Sequence, residues 1–223
     1  VFSLKPQDGA SIVALIASAV RRDISFGELP PDAKLKIEDL RRRYGGSNHS
    51  VREALMQLTA EGMVEANAQR GFRVASATGD DLKDIVRLRA ELDPVGLRWS
   101  MLNGDVAWES RLIGAEHAAS RAARRLAESA DEATLAWDEA NRAFHATLME
   151  ACGSPRLIEV TARLYDQSRR FRLANLREGL CDPQEIRRTR KALCDAVVER
   201  DAEAATARLI ADIELDLAAA GSR

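Results

Sequence analysis

KLKIEDLRRRYGGSNHSVREALMQLTAEGMVEANAQRGFRV, residues 34–74, reads as two helices around a tight turn, then a hairpin with a basic tip. Ile37, Leu40 and Tyr44 recur at helical spacing and form one buried stripe on the first of these helices. Gly45-Gly46 supplies the permissive backbone that a sharp turn needs. Ser47 suits a helix N-cap, its hydroxyl accepting an orphan backbone N–H. Ser50 with Glu53 offers a capping box that would start the same helix one turn later. Val51, Leu55 and Leu58 face inward, which leaves Asn48, His49 and Arg52 on the opposite face near the helix start. That is where a helix-turn-helix reads base edges in the major groove. Residues 64–66 and 72–74 read as short strands, with Arg70-Gly71 in the wing turn between them.

SVREALMQLTAEGMVE (50–65) followed by QRGFRV (69–74) closely resembles the winged helix-turn-helix of the GntR family of bacterial transcription regulators. AVRRDISFGELPPDAKLKIEDL (19–40) resembles that family's first helix and the Gly-x-x-Pro approach to its second. Arg52, Glu53, Leu55 and Gly71 match the family pattern. Asn48 stands where the family usually has Arg, Ser50 where it has Pro, and Ile37-Glu38-Asp39 where it has a Glu-Arg-Glu-like run. Two customary cationic contacts are therefore replaced, at Asn48 and Glu38. Asn pairs bidentately with adenine and Arg with guanine, each worth about 1–3 kcal/mol of discrimination, so the expected operator differs from the commonest half-site. The resemblance places the DNA-contacting residues at Arg42, Ser47, Asn48, His49, Ser50, Arg52, Glu53, Arg70 and Gly71. Arg41, Arg42 and Arg43 read either as replacement phosphate contacts or as a solvated helix end, and Arg70 suits a narrow minor groove.

A chain of 223 residues holds two modest domains. With 46% apolar and 30% charged residues it can build cores, and at a net charge of −2 it is no bulk polyanion binder. Residues 1–78 carry 11 Lys and Arg against 9 Asp and Glu, and the remainder is acidic, so attraction to DNA must come from local placement of Arg. Cys152, Cys181 and Cys194 are odd in number and lack C-x-x-C spacing. They read as reduced thiols in a cytoplasmic protein rather than as a disulfide or zinc framework. No apolar run approaches the roughly 18–20 residues of a membrane helix.

The division expected is a winged helix-turn-helix over 1–76, a linker over 77–80 and an all-α domain over 81–223, a mainly α chain with one small β-hairpin. Helices are expected near 81–102, 105–128, 132–151, 155–178, 183–199 and 201–219, the first capped by Asp80-Asp81. Gly153-Ser154-Pro155 and Asp182-Pro183-x-Glu185 punctuate two of the joins. DIVRLRAELDPVGL (84–97), NRAFHATLMEACGSPRL (141–157) and CDAVVERDAEAATARL (194–209) resemble the FadR-type C-terminal domain, the ligand-sensing bundle of the family's largest branch. The resemblance implies a homodimer built on this bundle.

Many members of that branch hold a divalent metal through one Asp and three His, and an organic acid sits on the metal. Those places fall here on Asn141, His145, Arg190 and Asp212. Only His145 keeps its family identity, and a tight site usually needs three or four protein ligands. The expectation is therefore no metal and no cofactor. Arg190 offers instead a planar fork for a carboxylate or phosphate, with Asp212 neutralising it when no ligand is bound. A plain structural Arg190–Asp212 ion pair is the competing reading. His145 suits either a satisfied core residue or a ligand contact. Arg89 reads as a second anion contact or as an ion pair with Glu91 or Asp93. Trp137, Phe144 and Phe171 read as apolar core. Arg169-Arg170-x-Arg172 reads as a solvated face, with Arg172 a distant candidate for the pocket.

The function expected is a ligand-responsive regulator, a repressor, binding a pseudo-palindromic operator as a dimer and sensing a small acidic metabolite. A DNA-binding dimer whose bundle senses nothing is the alternative. An enzyme of the kind that joins this head to an aminotransferase-like domain is disfavoured. The second domain has only Lys83 and Lys191 as candidate cofactor lysines, and no strand pattern, Gly-rich phosphate loop or H-E-x-x-H.

Overall fold

The computed structural model describes residues 11–67, 71–126 and 130–218. The chain divides into two units, one up to residue 78 and one from 79 onward.

In the first unit, Ser11 caps α1 (Ile12–Ser25), its hydroxyl accepting the Ala14 N–H at 3.2 Å. Ile16, Val20 and Ile24 recur every four residues and bury one face of this helix. Then follow β1 (Lys34–Leu35), α2 (Ile37–Tyr44), α3 (Asn48–Ala60), β2 (Val64–Asn67) and β3 (Gly71–Val74). The two strands of the wing lie where the sequence places them. The two-residue β1 has no counterpart in the sequence reading, because two residues carry no periodicity. It pairs antiparallel with β3, Lys34 opposite Arg73 and Leu35 opposite Phe72, so the sheet order is β1-β3-β2. Leu40 and Tyr44 of α2, Val51, Leu55 and Leu58 of α3, and Leu35, Val64, Phe72 and Val74 of the sheet close on α1 in one core.

The α2–α3 turn has Gly45 and Gly46 at φ +83° and +79°. A Cβ on Gly46 would lie 2.8 Å from Ile16 Cδ1, so the turn needs glycine for space as well as for conformation. Of the two helix starts open in the sequence, Ser47 wins. Its Oγ accepts the Ser50 N–H at 3.0 Å, and α3 begins at Asn48.

The second unit consists, among the described residues, of α4 (Gly79–Asn103), α5 (Val106–Leu126), α6 (Ala130–Met149), α7 (Pro155–Arg177), α8 (Pro183–Val198) and α9 (Ala202–Ala218). Asp80 and Asp81 sit inside the first turn of α4 rather than ahead of it. The positive end of the helix dipole favours them equally well there. Ser154 and Asp182 cap α7 and α8, each followed by a proline at the first position. Helix α4 packs on α6, α7 and α9, while α5 packs on α6 and α8.

One expectation is overturned. Arg169 and Arg172 do not form a solvated face; they are 8% and 5% exposed. The cause lies on α6, where the buried Asp138 carboxylate draws both guanidinium groups inward. Arg170 of the same run pairs with Asp81. Cys152, Cys181 and Cys194 are all free thiols. Among the described residues no helix is long and apolar enough to cross a membrane.

Candidate nucleic-acid interface and bundle cavity

Helix α3 divides cleanly by face. Val51, Ala54, Leu55 and Leu58 are fully buried, while Asn48, His49, Arg52 and Glu53 are exposed. The cap fixes where the helix begins. Its first turn therefore presents Asn48 and His49 to solvent, with Arg52 one turn on. His49 Nε2 lies 3.4 Å from Glu53 Oε1. Arg52 has no ion-pair or hydrogen-bond partner among the described residues. Ser50 is half-buried, its Oγ 3.0 Å from that of Ser47, so its hydroxyl belongs to the cap as much as to any outer contact.

Two links tie the α2–α3 pair to α1, one at the end of α3 and one at the end of α2. Arg21 of α1 donates a bidentate pair to Glu61, at 2.9 and 2.7 Å. Tyr44 Oη donates to the buried Asp23 of α1 at 2.6 Å. Burial, then the Asp23 hydrogen bond and charge, push the Tyr44 hydroxyl well above its usual range, so it stays a donor. Arg43 also lies on Asp23, and Arg42 pairs with Asp39 at the exposed surface. All three arginines of the run are exposed, and Arg43 reaches back to brace the buried Asp23. Gly71 opens β3 at φ +79°. Arg70 lies outside the described residues.

In the bundle, polar side chains replace the expected apolar stripe on two facing helices. Thr134, Asp138, Asn141 and His145 recur at i, i+4, i+7 and i+11 on α6 and are at most 6% exposed. Thr161, Tyr165, Ser168 and Arg172 do the same on α7, at most 5% exposed. Arg89 and Asp93 face the interior from α4, Arg190 from α8 and Asp212 from α9. All five effector candidates from the sequence, Arg89, Asn141, His145, Arg190 and Asp212, are buried.

Asp212 joins two of the others. Its Oδ2 lies 3.0 Å from His145 Nε2 and its Oδ1 3.1 Å from Arg190 Nε. Burial alone would raise the Asp212 carboxyl, but Arg190, His145 and Arg89 outweigh it and hold the group down at about 2. Burial lowers His145 to about 4, against the opposing pull of Asp212. Near neutrality Asp212 is therefore ionised and His145 is not. Arg89 pairs with Asp93 at 3.2 Å, which decides between its two acidic neighbours.

Tyr165, which the sequence reading missed, sits at the centre. The His145 ring lies 4.7 Å from its ring, and the Arg89 and Arg172 guanidinium carbons lie 4.9 and 3.9 Å from its centroid. Burial pushes its hydroxyl up to about 12. The polar stripe 161-165-168-172 was present in the sequence and would have exposed both Tyr165 and Arg172. The charge run at 169–172 masked it.

Around this centre Arg89, Arg169, Arg172 and Arg190 are paired with Asp93, Asp138 and Asp212, and Arg169 also lies 3.8 Å from Glu139. A cavity of about 50 Å³ opens between α4, α6 and α7, with His145 and Tyr165 in its wall. Arg190 and Asp212 instead border a much tighter crevice with Trp137 and Arg172. The residues do not suit a metal. His145 Nε2 and the Asp212 carboxylate are engaged with each other, and Arg190 puts a permanent cation where a metal would need a third donor. Among the described residues no group of three or more His, Cys, Asp or Glu is placed to hold one.

Comparison with known proteins gives two matches along the chain. Residues 13–74 match the model described as bacterial regulatory proteins, gntR family, and residues 84–215 match the FCD domain. The HTH-type transcriptional regulator BphR of Paraburkholderia xenovorans (strain LB400) is 35% identical over 92% of this chain and 83% of that protein. The HTH-type transcriptional repressor GlaR of Escherichia coli (strain K12) is 32% identical over 82% of this chain and 83% of its own. Among solved structures, E. coli McbR/YncC superposes with a TM-score of 0.74 over 96% of this chain and 99% of that one. At 21% identity that likeness concerns the fold alone.

Proposed function

The chain belongs to the gntR family of bacterial regulatory proteins and is a DNA-binding transcriptional regulator, not an enzyme, and from that premise we propose that it is a repressor that binds a pseudo-palindromic operator as a homodimer and responds to a small acidic metabolite held in the α4–α9 bundle. The reading face of α3 supports the DNA half of this proposal, with Asn48, His49 and Arg52 exposed above a fully buried inner face. A relative described as a repressor supports the sign of regulation.

The observation that carries the sensing half is the pair of buried polar stripes on α6 and α7. Burying polar and charged groups is costly unless each is paired. A bundle needed only for dimerisation is built more stably from apolar residues at the same positions. Arg190, whose guanidinium is paired with Asp212, is placed to exchange that carboxylate for one on a ligand. Such an exchange gives two states with different contacts, which a switch requires.

The test is a footprint of the dimer on its own promoter region at low ionic strength, with and without small carboxylates. Protection of two half-sites, relaxed at one base position by Arg52→Ala, is expected. Uniform weakening across all sequences by Arg52→Ala would place the reading helix elsewhere. A carboxylate response that survives Arg190→Ala unchanged would remove Arg190 from sensing.

A further inference from the structure

Helix α4 is apolar on two sides. Leu82, Ile85, Val86, Leu97 and Met101 are buried on its inner side, where it packs on α6, α7 and α9. A second apolar stripe runs along the outer side, through Leu88, Leu92, Val95, Trp99 and Leu102. Leu88 and Trp99 are each 43% exposed and Leu102 is 82% exposed, while Leu92 and Val95 are half-buried. A helix apolar all round belongs between two partners. Among the described residues, the bundle covers only the first side. The outer stripe advances by four, three, four and three residues, the spacing of a coiled-coil seam. Pro94 is buried on the inner side and does not interrupt it.

The charges beside the stripe decide what covers it. Glu91 and Arg98 border it on one edge, seven residues and about two turns apart. Both are exposed, and neither has an ion-pair or hydrogen-bond partner among the described residues. Against a parallel copy of α4, the positions across the seam from these two are Gly96 and Asn103, so no opposite charge is met. Against an antiparallel copy, the charged edge of each helix meets the same edge of the other. Leu88 and Leu92 then lie on the partner's Trp99 and the partner's Val95, and Glu91 faces the partner's Arg98. Two-fold symmetry repeats the contact, so one helix supplies both signs of a matched set.

We infer that α4 docks antiparallel on α4 of a second copy of this chain, with Leu88, Leu92, Val95, Trp99 and Leu102 as the seam and Glu91 and Arg98 fixing its direction. This rests on the homodimer reading above and adds the surface on which the two copies meet. The seam supplies the affinity, because large contiguous apolar surface is rarely left in water. The rim charges add less affinity than selectivity, rejecting the parallel arrangement and other partners.

Sedimentation equilibrium of the full chain, with two charge variants, tests this. Arg98→Glu sets like charges against each other twice and is expected to weaken the dimer about tenfold. The double variant Glu91→Arg with Arg98→Glu restores opposite charges across an antiparallel seam and is expected to recover most of that loss. Both positions are exposed, and circular dichroism checks that the variants stay folded. Diluting the unsubstituted chain through dissociation should shift tryptophan emission to the red, a change that Trp99→Phe removes, since Trp108 and Trp137 are buried within one chain. A dimer indifferent to Arg98→Glu, a double variant as weak as the single one, or a Trp99 signal unmoved by dissociation overturns the inference while leaving the homodimer intact. A chain that is monomeric at every concentration overturns both, and leaves the stripe to a different partner.

Discussion

His145 and Asp212 are two residues whose protonation the fold has fixed, and this has a measurable cost in acid. His145 is lowered from 6.5 to about 4 and Asp212 from 3.8 to about 2. Both groups take up protons more readily in the unfolded chain, so both stabilise the folded bundle fully above pH 6.5. The His145 contribution, on the order of 3 kcal/mol, is lost as pH falls from 6.5 towards 4. The Asp212 contribution follows between 3.8 and 2. Urea melts of the bundle between pH 4 and 7.5 should show stability rising with pH. His145→Gln should flatten that slope, and an unchanged slope would mean another group titrates. At this scale the sequence was half legible. Carrying family positions across by order along the chain named Asn141, His145, Arg190 and Asp212, all of which are buried. It could not find Tyr165 or Asp138, whose roles depend on which helix faces which.

Among the elements, the α2–α3 turn makes two demands on one glycine. Gly46 combines a positive φ with a Cβ position 2.8 Å from Ile16 Cδ1. Gly46→Ala should cost about 1–3 kcal/mol in strain and tilt α3 against α1. The checks are a lower melting midpoint and weaker operator binding with unchanged base preference. Gly45, at nearly the same φ, meets nothing within 4 Å, so Gly45→Ala should cost less. The helices of the second unit were legible nearly to their ends, since Ser154-Pro155 and Asp182-Pro183 are local chemical stops. The short β1 was not, because its existence depends on β3 lying beside it.

Taken whole, the chain is weakly acidic and yet belongs to a family of DNA-binding regulators, so attraction must be concentrated in a few exposed cations such as Arg41, Arg42 and Arg52. Three such contacts per head in a dimer would give six, and affinity should then fall roughly 10³-fold between 50 and 200 mM salt. A salt titration of operator binding measures this directly. A nearly flat dependence would mean that base contacts and shape dominate. Because β1 pairs with β3, every rung of the small ladder is supplied by residues before 79. The reading module therefore completes its own sheet, borrowing no strand from beyond residue 78.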